Sequence, residues 1–311
     1  MATGMNFDLP GYSGALYTTS ITTTPFLNLI GEREFTKSVE FAVNQNYSLR
    51  TPKQPEISEK ASLNAPEADN VARTQETNVT QIFQETVSVS YAHESNMGQL
   101  SGINNAGQVE NPTSELQFQT SCVMKEVRND VEYTCINGKY QKATGNTVAN
   151  KTRGILEAIV TNAVKEKNDV SSSTVRSVLA GFFKTIWDAG LDLDGYVLLV
   201  NSDIKAAISE AYEGSGYFTP GVKEAGINIQ KLITDYGTIS VALSRTMPQK
   251  TALCFNPVNV HLVEQITPNK GNFFLEPLSK KGASYDYQLF GQIGLDYGFE
   301  KQHGKLTFGA T

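Results

Sequence analysis

The chain has 311 residues, of which 40% are hydrophobic and 19% charged, and its formal net charge is −6. These values place it among globular proteins of one large or two medium domains, and its acidic balance argues against a dedicated nucleic-acid-binding protein, which needs surplus Lys and Arg. No apolar run approaches the length of a membrane span, and the opening MATGMNFDLPGYSG lacks the regions of a signal peptide. We therefore expect neither membrane anchoring nor export by that route.

The first predicted strand covers residues 33–43, REFTKSVEFAV, because apolar and polar side chains alternate along it. Its apolar side is formed by Phe35, Val39, Phe41 and Val43. A second alternating run, QIFQETVSVSY at residues 81–91, predicts a partner strand. We expect the two runs to form a β-hairpin.

The long insert between these runs includes TPKQPEISEKASLNAPEADNV, residues 51–71. Ordering about 20 residues at roughly 1.5 kcal/mol each costs about 30 kcal/mol, which requires on the order of 1,200 Å² of buried apolar surface. Ile57, Leu63, Val71 and a few alanines cannot supply that area. The segment therefore either takes its order from neighbouring chains or stays a mobile surface loop.

A long helix is predicted over residues 111–137, NPTSELQFQTSCVMKEVRNDVEYTCIN. Asn111 can cap it, Pro112 suits the first helical position, and the Asn137-Gly138 pair is expected to end it. Its narrow apolar stripe contains Leu116, Val123, Val127 and Val131. A helix of roughly 25 residues is about 38 Å long, which is more than a small domain needs.

Another helix is predicted from Thr152, and the strongest amphipathic pattern follows at residues 172–190, where Gly190 is the expected stop. Its apolar face contains Val175, Val178, Leu179, Phe182, Phe183, Ile186 and Trp187. Residues 196–200, YVLLV, predict a buried strand, and Ser202 or Asp203 can cap a short helix after it.

This strand and helix order suggests a nucleotide-binding unit, but the expected glycines are missing because Asn201, Ser202 and Asp203 follow the strand. The loop EGSGYFTPG, residues 213–221, has no following Lys-Ser or Lys-Thr and is interpreted as a flexible surface tip. The remaining chain is rich in predicted strands, with alternation at residues 239–243, 258–262 and 293–299.

No catalytic, cofactor-binding or metal-binding motif occurs in the sequence, and we expect no catalytic residue, no cofactor and no metal. The three histidines, His93, His261 and His303, are far apart and are interpreted as structural. The three cysteines, Cys122, Cys135 and Cys254, lack metal-ligand spacing and are expected to be reduced thiols in a cytoplasmic environment.

Six stretches in one order resemble the major capsid proteins of tailed bacteriophages, in particular the subgroup of the phage SU-ten major head protein. They are TTSITTTPFLNLIG (18–31), RTQETNVTQIFQETVSVS (73–90), KEVRNDVEYTCING (125–138), IWDAG (186–190), SRTMP (244–248) and SKKGASYDYQLFGQIGLDYGFEKQHGKL (279–306). They span nearly the whole chain. No single stretch is diagnostic, and the specificity of the resemblance comes from their order.

The resemblance implies the α+β tailed-phage capsid fold, also called the Johnson fold. Its parts would be an N-terminal arm (1–32), an extended β-hairpin loop (33–92, tip 51–71), a peripheral domain with a spine helix (93–169, helix 111–137), an axial domain (170–250) and closing strands of the peripheral domain (251–311).

The function that the resemblance implies is structural. Copies of the chain would self-assemble as hexamers and pentamers into an icosahedral head around double-stranded DNA, without sequence-specific DNA binding, catalysis or a membrane. A separate scaffolding protein and a portal are expected partners, and the virion would assemble in the host bacterial cytoplasm. The intersubunit contact candidates are Phe26, Arg33, Glu34, Lys53, Ile57, Lys60, Leu63, Arg73, Glu76, Tyr217 and Phe218.

Three alternatives stay open at the level of sequence. A nanocompartment shell protein of the same fold would enclose cargo enzyme instead of a genome. A cytoplasmic α/β enzyme would be a compact monomer or dimer with a ligand pocket. A phage decoration or tail component would form rings or tubes.

Overall fold

The computed structural model of the chain describes residues 23–43, 46–47, 49–65, 67–68, 70–95, 114–212, 218–219, 223–224, 227–228 and 230–309. The helices are α1 (Pro25–Leu29), α2 (Glu59–Ser62), α3 (Tyr91–Ser95), α4 (Glu115–Asn137), α5 (Ile155–Ala158), α6 (Ser172–Asp188) and α7 (Ser202–Tyr212), with 3-10 turns at Pro257–Asn259 and Glu300–Gln302. The strands are β1 (Glu34–Thr36), β2 (Glu40–Ala42), β3 (Asn46–Tyr47), β4 (Arg73–Thr74), β5 (Thr77–Val79), β6 (Gln81–Ser90), β7 (Ala163–Lys165), β8 (Val197–Val200), β9 (Phe218–Thr219), β10 (Lys223–Glu224), β11 (Ile227–Asn228), β12 (Gln230–Thr234), β13 (Gly237–Leu243), β14 (Thr251–Phe255), β15 (His261–Gln265), β16 (Phe273–Pro277), β17 (Ser284–Asp296) and β18 (Gly304–Thr307).

A five-stranded sheet is built around β17, which is 13 residues long. Strand β6 runs antiparallel along one side of β17, and β16 and β15 pair antiparallel along the other side. Strand β1 is added parallel to β15. The central pairing joins distant parts of the sequence, since Phe83 lies opposite Gly291.

Helix α4 lies across this sheet and buries Val127, Val131, Cys135 and Ile136 in the core between them. The last residue of the helix is Asn137, and the C-cap residue Gly138 lies where there is no room for a side chain. A Cβ at this position would lie 2.4 Å from the carbonyl oxygen of Thr134 and 2.7 Å from that of Thr152. The predicted end of the long helix is therefore confirmed.

A seven-stranded mixed sheet has the order β7-β18-β14-β8-β13-β12-β9. Helices α6 and α7 cover one face, and we call the buried cluster between them and the sheet the axial core. Strand β8 contributes Leu198 and Val200 to the axial core, whereas Val197 and Leu199 join the cluster shared with α4. Because the sheet is covered on both faces, all four residues of β8 are buried.

The amphipathic prediction for α6 is confirmed by its buried residues and by its end before Gly190, which has a φ of +92°. Trp187 differs from the prediction, since 46% of it is exposed and its ring packs against Tyr236 with centroids 5.9 Å apart. The predicted helix from Thr152 is reduced to the single turn α5, which begins only after Gly154.

The predicted single strand over 33–43 is wrong, because the chain bends between β1 and β2. The Thr36 side-chain oxygen accepts a hydrogen bond from the Ser38 backbone N–H at 3.1 Å, which closes a local turn. Strand β1 then pairs with β15, and β2 pairs with β5. Phe35, expected on the buried side, is 58% exposed.

The predicted hairpin partner, residues 81–91, is also wrong. Those residues form β6, whose full length pairs with β17. Alternation of apolar and polar residues indicates that one side of a strand is buried, but it does not indicate which distant strand pairs with it.

Two further boundaries differ from the predictions. Helix α4 is capped by Ser114, whose hydroxyl accepts from the Gln117 N–H at 3.3 Å, while Asn111 and Pro112 lie outside the described residues. Val258 was predicted in a strand but lies in a 3-10 turn and is 70% exposed.

Candidate interaction surfaces

The extended hairpin, residues 40–79, is made of two short ladders, β2 with β5 and β3 with β4. Every described side chain from residue 47 to residue 77 is exposed. These include large apolar side chains, with exposed fractions of 74% for Leu49, 64% for Ile57, 81% for Leu63 and 50% for Val71. Burying such a side chain is worth about 1.5–3 kcal/mol, so this surface favours contact with another molecule.

Local hydrogen bonds give the hairpin tip, residues 51–71, some structure of its own. Ser58 caps the one-turn helix α2, because its hydroxyl accepts a hydrogen bond from the Ala61 N–H at 3.2 Å. Ile57 and Val71 of the tip line a concave surface together with Lys53 and Glu67, whereas Leu63 lies outside it. None of the described tip residues is buried within the chain.

The base of the extended hairpin is fixed by Asn78, which is fully buried. Its side-chain amide donates to the carbonyl oxygens of Leu295 at 2.8 Å and Arg153 at 3.2 Å. Its side-chain oxygen accepts from the Arg153 N–H at 2.9 Å. The amide therefore joins the hairpin to β17 and to the segment after α4.

Ionic and phenolic groups add to this attachment. The Tyr297 hydroxyl donates to Glu76 at 2.6 Å, and Arg153 approaches the same carboxylate at 3.4 Å. Burial, together with the bond to Glu76, raises the pKa of Tyr297. On the opposite strand, hydrogen bonds from Lys142 and Thr77 lower the pKa of Glu40.

The N-terminal segment is held by α4. Glu132 is fully buried and accepts hydrogen bonds from the Leu27 N–H at 3.4 Å, the Ser244 hydroxyl at 3.2 Å and the Thr246 hydroxyl at 3.0 Å. Burial raises the pKa of Glu132 although these donors stabilise the carboxylate. One carboxyl group thus connects α1, α4 and the loop that leaves β13.

The predicted contact residues occupy three kinds of position. Arg33 forms an ion pair with Glu264 at 2.8 Å, and Glu76 is bound within its own chain. Both of these side chains are nevertheless exposed, and the other exposed candidates are Glu34, Lys53, Ile57, Lys60, Leu63 and Arg73. Tyr217 lies outside the described residues, and of Phe218 only the backbone in β9 is described.

Phe26 does not lie on the surface of the chain. It is fully buried and its ring packs on Phe255, with centroids 5.3 Å apart. This packing could not be predicted from the sequence, because Phe255 lies more than 200 residues away along the chain. The side chain stabilises its own subunit.

An apolar groove beside α4 was missed in the sequence. Its walls come from α4 and from the sheet strands β16 and β17. A usable signal was the row of Leu116, Thr120 and Met124, which recur every four residues along α4; Leu116 also belongs to the predicted apolar stripe, but Thr120 and Met124 do not.

No catalytic arrangement is found among the described residues. His303 is buried between the Tyr297 carbonyl oxygen, at 2.7 Å, and the Asn256 N–H, at 3.4 Å, and burial lowers its pKa to about 4. Within the described ranges no three His, Cys, Asp or Glu side chains cluster as metal ligands, and no helix is long and apolar enough to cross a membrane. The three cysteines are free thiols.

Comparisons with known proteins agree with this architecture. Residues 1–309 match the family model described as SU10 major capsid protein. No curated protein sequence matches the chain.

Solved structures show the same fold at low sequence identity. The holo-SrpI encapsulin complex from Synechococcus elongatus is 12% identical with a TM-score of 0.63, and the match covers 96% of this chain and 91% of that chain. A chain of Mycobacterium phage Che8 is 14% identical with a TM-score of 0.60, covering 97% and 98%. The capsid of an empty GTA particle is 14% identical with a TM-score of 0.61, covering 95% and 100%.

Proposed function

The chain belongs to the SU10 major capsid protein family, and from this premise we propose that its copies assemble into a closed icosahedral head around the double-stranded DNA of a tailed phage. As a capsid protein it is a structural component of the virion and not an enzyme.

The observation that supports this assembly most strongly is the exposed apolar surface of the extended hairpin. Leu49, Ile57, Leu63 and Val71 are covered by no described part of their own chain. A second copy can cover them, and each copy then gives and receives one such contact. Because a closed shell repeats this contact around every subunit, individually weak contacts add up to a stable particle.

The attachment of the hairpin suits this role. Asn78 and Tyr297 fix the base to the five-stranded sheet, so the position of the sheet sets the direction in which the tip projects. A tip held in this way loses less conformational freedom on binding than a free loop does.

An icosahedral phage head would also involve further partners. We expect hexamers and pentamers of the chain, a separate scaffolding protein, a portal and assembly in the host bacterial cytoplasm. DNA is enclosed without sequence-specific contacts. The acidic net charge of −6 supports weak contact between shell and genome, because it does not favour tight phosphate binding.

A deletion of residues 52–70, closed by a short Gly-Ser linker, tests the assembly role. We expect a folded subunit that forms no closed shells in electron micrographs. A matched control replaces the exposed Glu56 and Glu59 of the tip with Gln, which keeps the apolar side chains and the candidate contact residues and is expected to retain shells. Normal shells from the deletion variant would contradict the proposal.

A nanocompartment shell is the second candidate, favoured by the similarity to the encapsulin. Fold similarity does not separate the two functions, since chains of Mycobacterium phage Che8 and of the capsid of Cyanophage P-SCSP1u match with similar TM-scores of 0.60 and 0.59. The contents of purified shells distinguish the two functions. We expect long, nuclease-protected double-stranded DNA in particles from infected cells, whereas shells filled with a cargo enzyme would favour the nanocompartment.

A further inference from the structure

The base of the extended hairpin crosses β17 at Gly294, where both hairpin strands come close to the β17 backbone. A Cβ at Gly294 would lie 2.6 Å and 2.9 Å from two ring carbons of Phe41 in β2. It would also lie 3.1 Å from the carbonyl oxygen of Val79 in β5. Since ordinary contacts of a Cβ begin near 3.4 Å, any side chain at position 294 would displace the hairpin base.

The loop that follows α4, residues 138–154, is fixed beside this crossing point. Gln141 and Lys151 exchange two backbone hydrogen bonds, of 3.0 Å and 2.8 Å, which hold its two arms together. The hydroxyl of the buried Thr152 accepts a hydrogen bond from the Leu295 N–H at 3.2 Å. The 138–154 loop is therefore attached directly to β17.

Two cations of the 138–154 loop bind opposite strands of the hairpin base. Lys142 pairs with Glu40 of β2 at 2.6 Å, and Arg153 pairs with Glu76, just before β5, at 3.4 Å. The Arg153 guanidinium also stacks over the Tyr140 ring, 4.6 Å from its centroid. The loop contains four basic residues and no acidic residue. It therefore attracts the acidic side chains of both strands.

The two strands are held in different ways. Phe41 of β2 lies directly opposite Asn78 of β5 in their ladder. The buried hydrogen bonds of Asn78 fix β5. Strand β2 is positioned instead by the contact of Phe41 with Gly294 and by the ion pair between Glu40 and Lys142. Because the strands are paired, a displacement of β2 relative to β5 reorients the whole hairpin.

We infer that Gly294 and the 138–154 loop together set the direction in which the extended hairpin projects from the subunit. Gly294 acts as a positioning residue because it leaves room for Phe41, and Lys142 and Arg153 hold the two strands in place. This inference goes beyond the proposed function, because it concerns the geometry of one chain and is tested without shells.

Double electron–electron resonance on full-length subunits measures the hairpin direction as a distance between two spin labels. The labels are attached to cysteines that replace the exposed Thr74 of β4 and the exposed Glu126 of α4. Cys122→Ser removes the partly exposed native thiol, while the other two cysteines are buried. A large excess of unlabelled chains ensures that only distances within one chain are measured.

The first variant, Gly294→Ala, should shift the mean distance. Residue 74 lies roughly 16 Å beyond the crossing point at about 3.3 Å per residue, so a tilt of about 10° displaces it by about 3 Å. Adding Phe41→Leu, which removes the ring, should restore the original distance. The matched control is Gly291→Ala, which places a Cβ against Phe273 of β16 and not against the hairpin. An unchanged distance in Gly294→Ala, or an equal shift in Gly291→Ala, would overturn the inference.

A charge reversal tests the 138–154 loop separately and stays informative if Gly294→Ala does not fold, because Lys142 is exposed. Lys142→Glu should widen the distance distribution, and adding Glu40→Lys should narrow it again by restoring an ion pair of opposite polarity. Lys151→Glu, exposed on the same loop but in neither ion pair, should have no effect. Equal distributions for Lys142→Glu and Lys151→Glu, or no recovery in the reversed pair, would overturn the inference.

Discussion

The axial core and the extended hairpin use apolar residues in opposite ways. In the axial core, Leu198, Val200 and Phe182 are completely buried by elements of the same chain. In the hairpin, Leu63 is 81% exposed and Ile57 is 64% exposed. The comparison shows that the apolar side chains of one region are buried within the chain, whereas those of the other are left available for contact with a second molecule.

Truncating one large apolar residue in each region gives the sharpest contrast. We expect Phe182→Ala to lower the free energy of unfolding of the subunit by about 3–5 kcal/mol, because it leaves a cavity in a packed core. Leu63→Ala should change the same quantity by less than about 0.5 kcal/mol while reducing the yield of shells. Urea unfolding of isolated subunits and electron microscopy measure the two effects, and a large stability loss in Leu63→Ala would break the comparison.

Lowering the pH should reduce the unfolding free energy of the subunit, because the buried His303 resists protonation in the folded chain. Its pKa is about 4 in the folded chain, below the ordinary 6.5, because burial disfavours the imidazolium. The stabilisation is therefore present above pH 6.5 and is lost as the pH falls toward 4, by about 3 kcal/mol in total.

Unfolding measurements between pH 7 and pH 4 check this expectation. The matched variant His303→Gln should lack this part of the pH dependence, although it starts from a lower stability. Identical pH profiles for the two proteins would contradict the assignment.

A substitution at the base of the extended hairpin should lower the unfolding free energy of the subunit, as a substitution in the core does, whereas a substitution in the tip should not. Asn78→Ala removes both an amide donor and an acceptor from a fully buried position, leaving backbone groups of Leu295 and Arg153 without these bonds. We expect a loss of about 2 kcal/mol in unfolding free energy, since buried unsatisfied groups cost about 1–3 kcal/mol each. The exposed Asn64 provides the control, and similar losses for Asn64→Ala and Asn78→Ala would refute the distinction.

The smallest expected effect is a gain in stability from a substitution at an exposed position of α6. Gly181 lies within α6, and a Cβ there would meet nothing within 4 Å. Gly181→Ala should stabilise the subunit by about 0.5–1 kcal/mol without changing the yield of shells. Gly190→Ala, at a φ of +92°, should destabilise it instead, and calorimetry distinguishes the two directions.

The sequence predicted best those features that local pattern determines. The apolar face of α6, its end before Gly190 and the buried strand β8 could all be recognised from periodicity and turn chemistry. The isolation of the tip was also predictable, because a segment with so few apolar residues cannot form a core.

Long-range pairing could not be predicted in the same way. Strand β6 pairs with β17 across about 200 residues, and Phe26 packs on Phe255 at a similar separation. The break between β1 and β2 depends on one hydroxyl at Thr36, which a pattern of alternation does not reveal. The groove beside α4 arises only when the helix is placed against β16.

Hydrogen exchange of the extended hairpin in isolated subunits and in assembled shells tests the central claim most directly. Exchange of the amides of residues 53–65 should be at least tenfold slower in shells, corresponding to about 1.4 kcal/mol or more of added protection. The amides of β8 should be protected in both forms, since the chain itself buries them. Equal protection of residues 53–65 in subunits and shells would contradict the account.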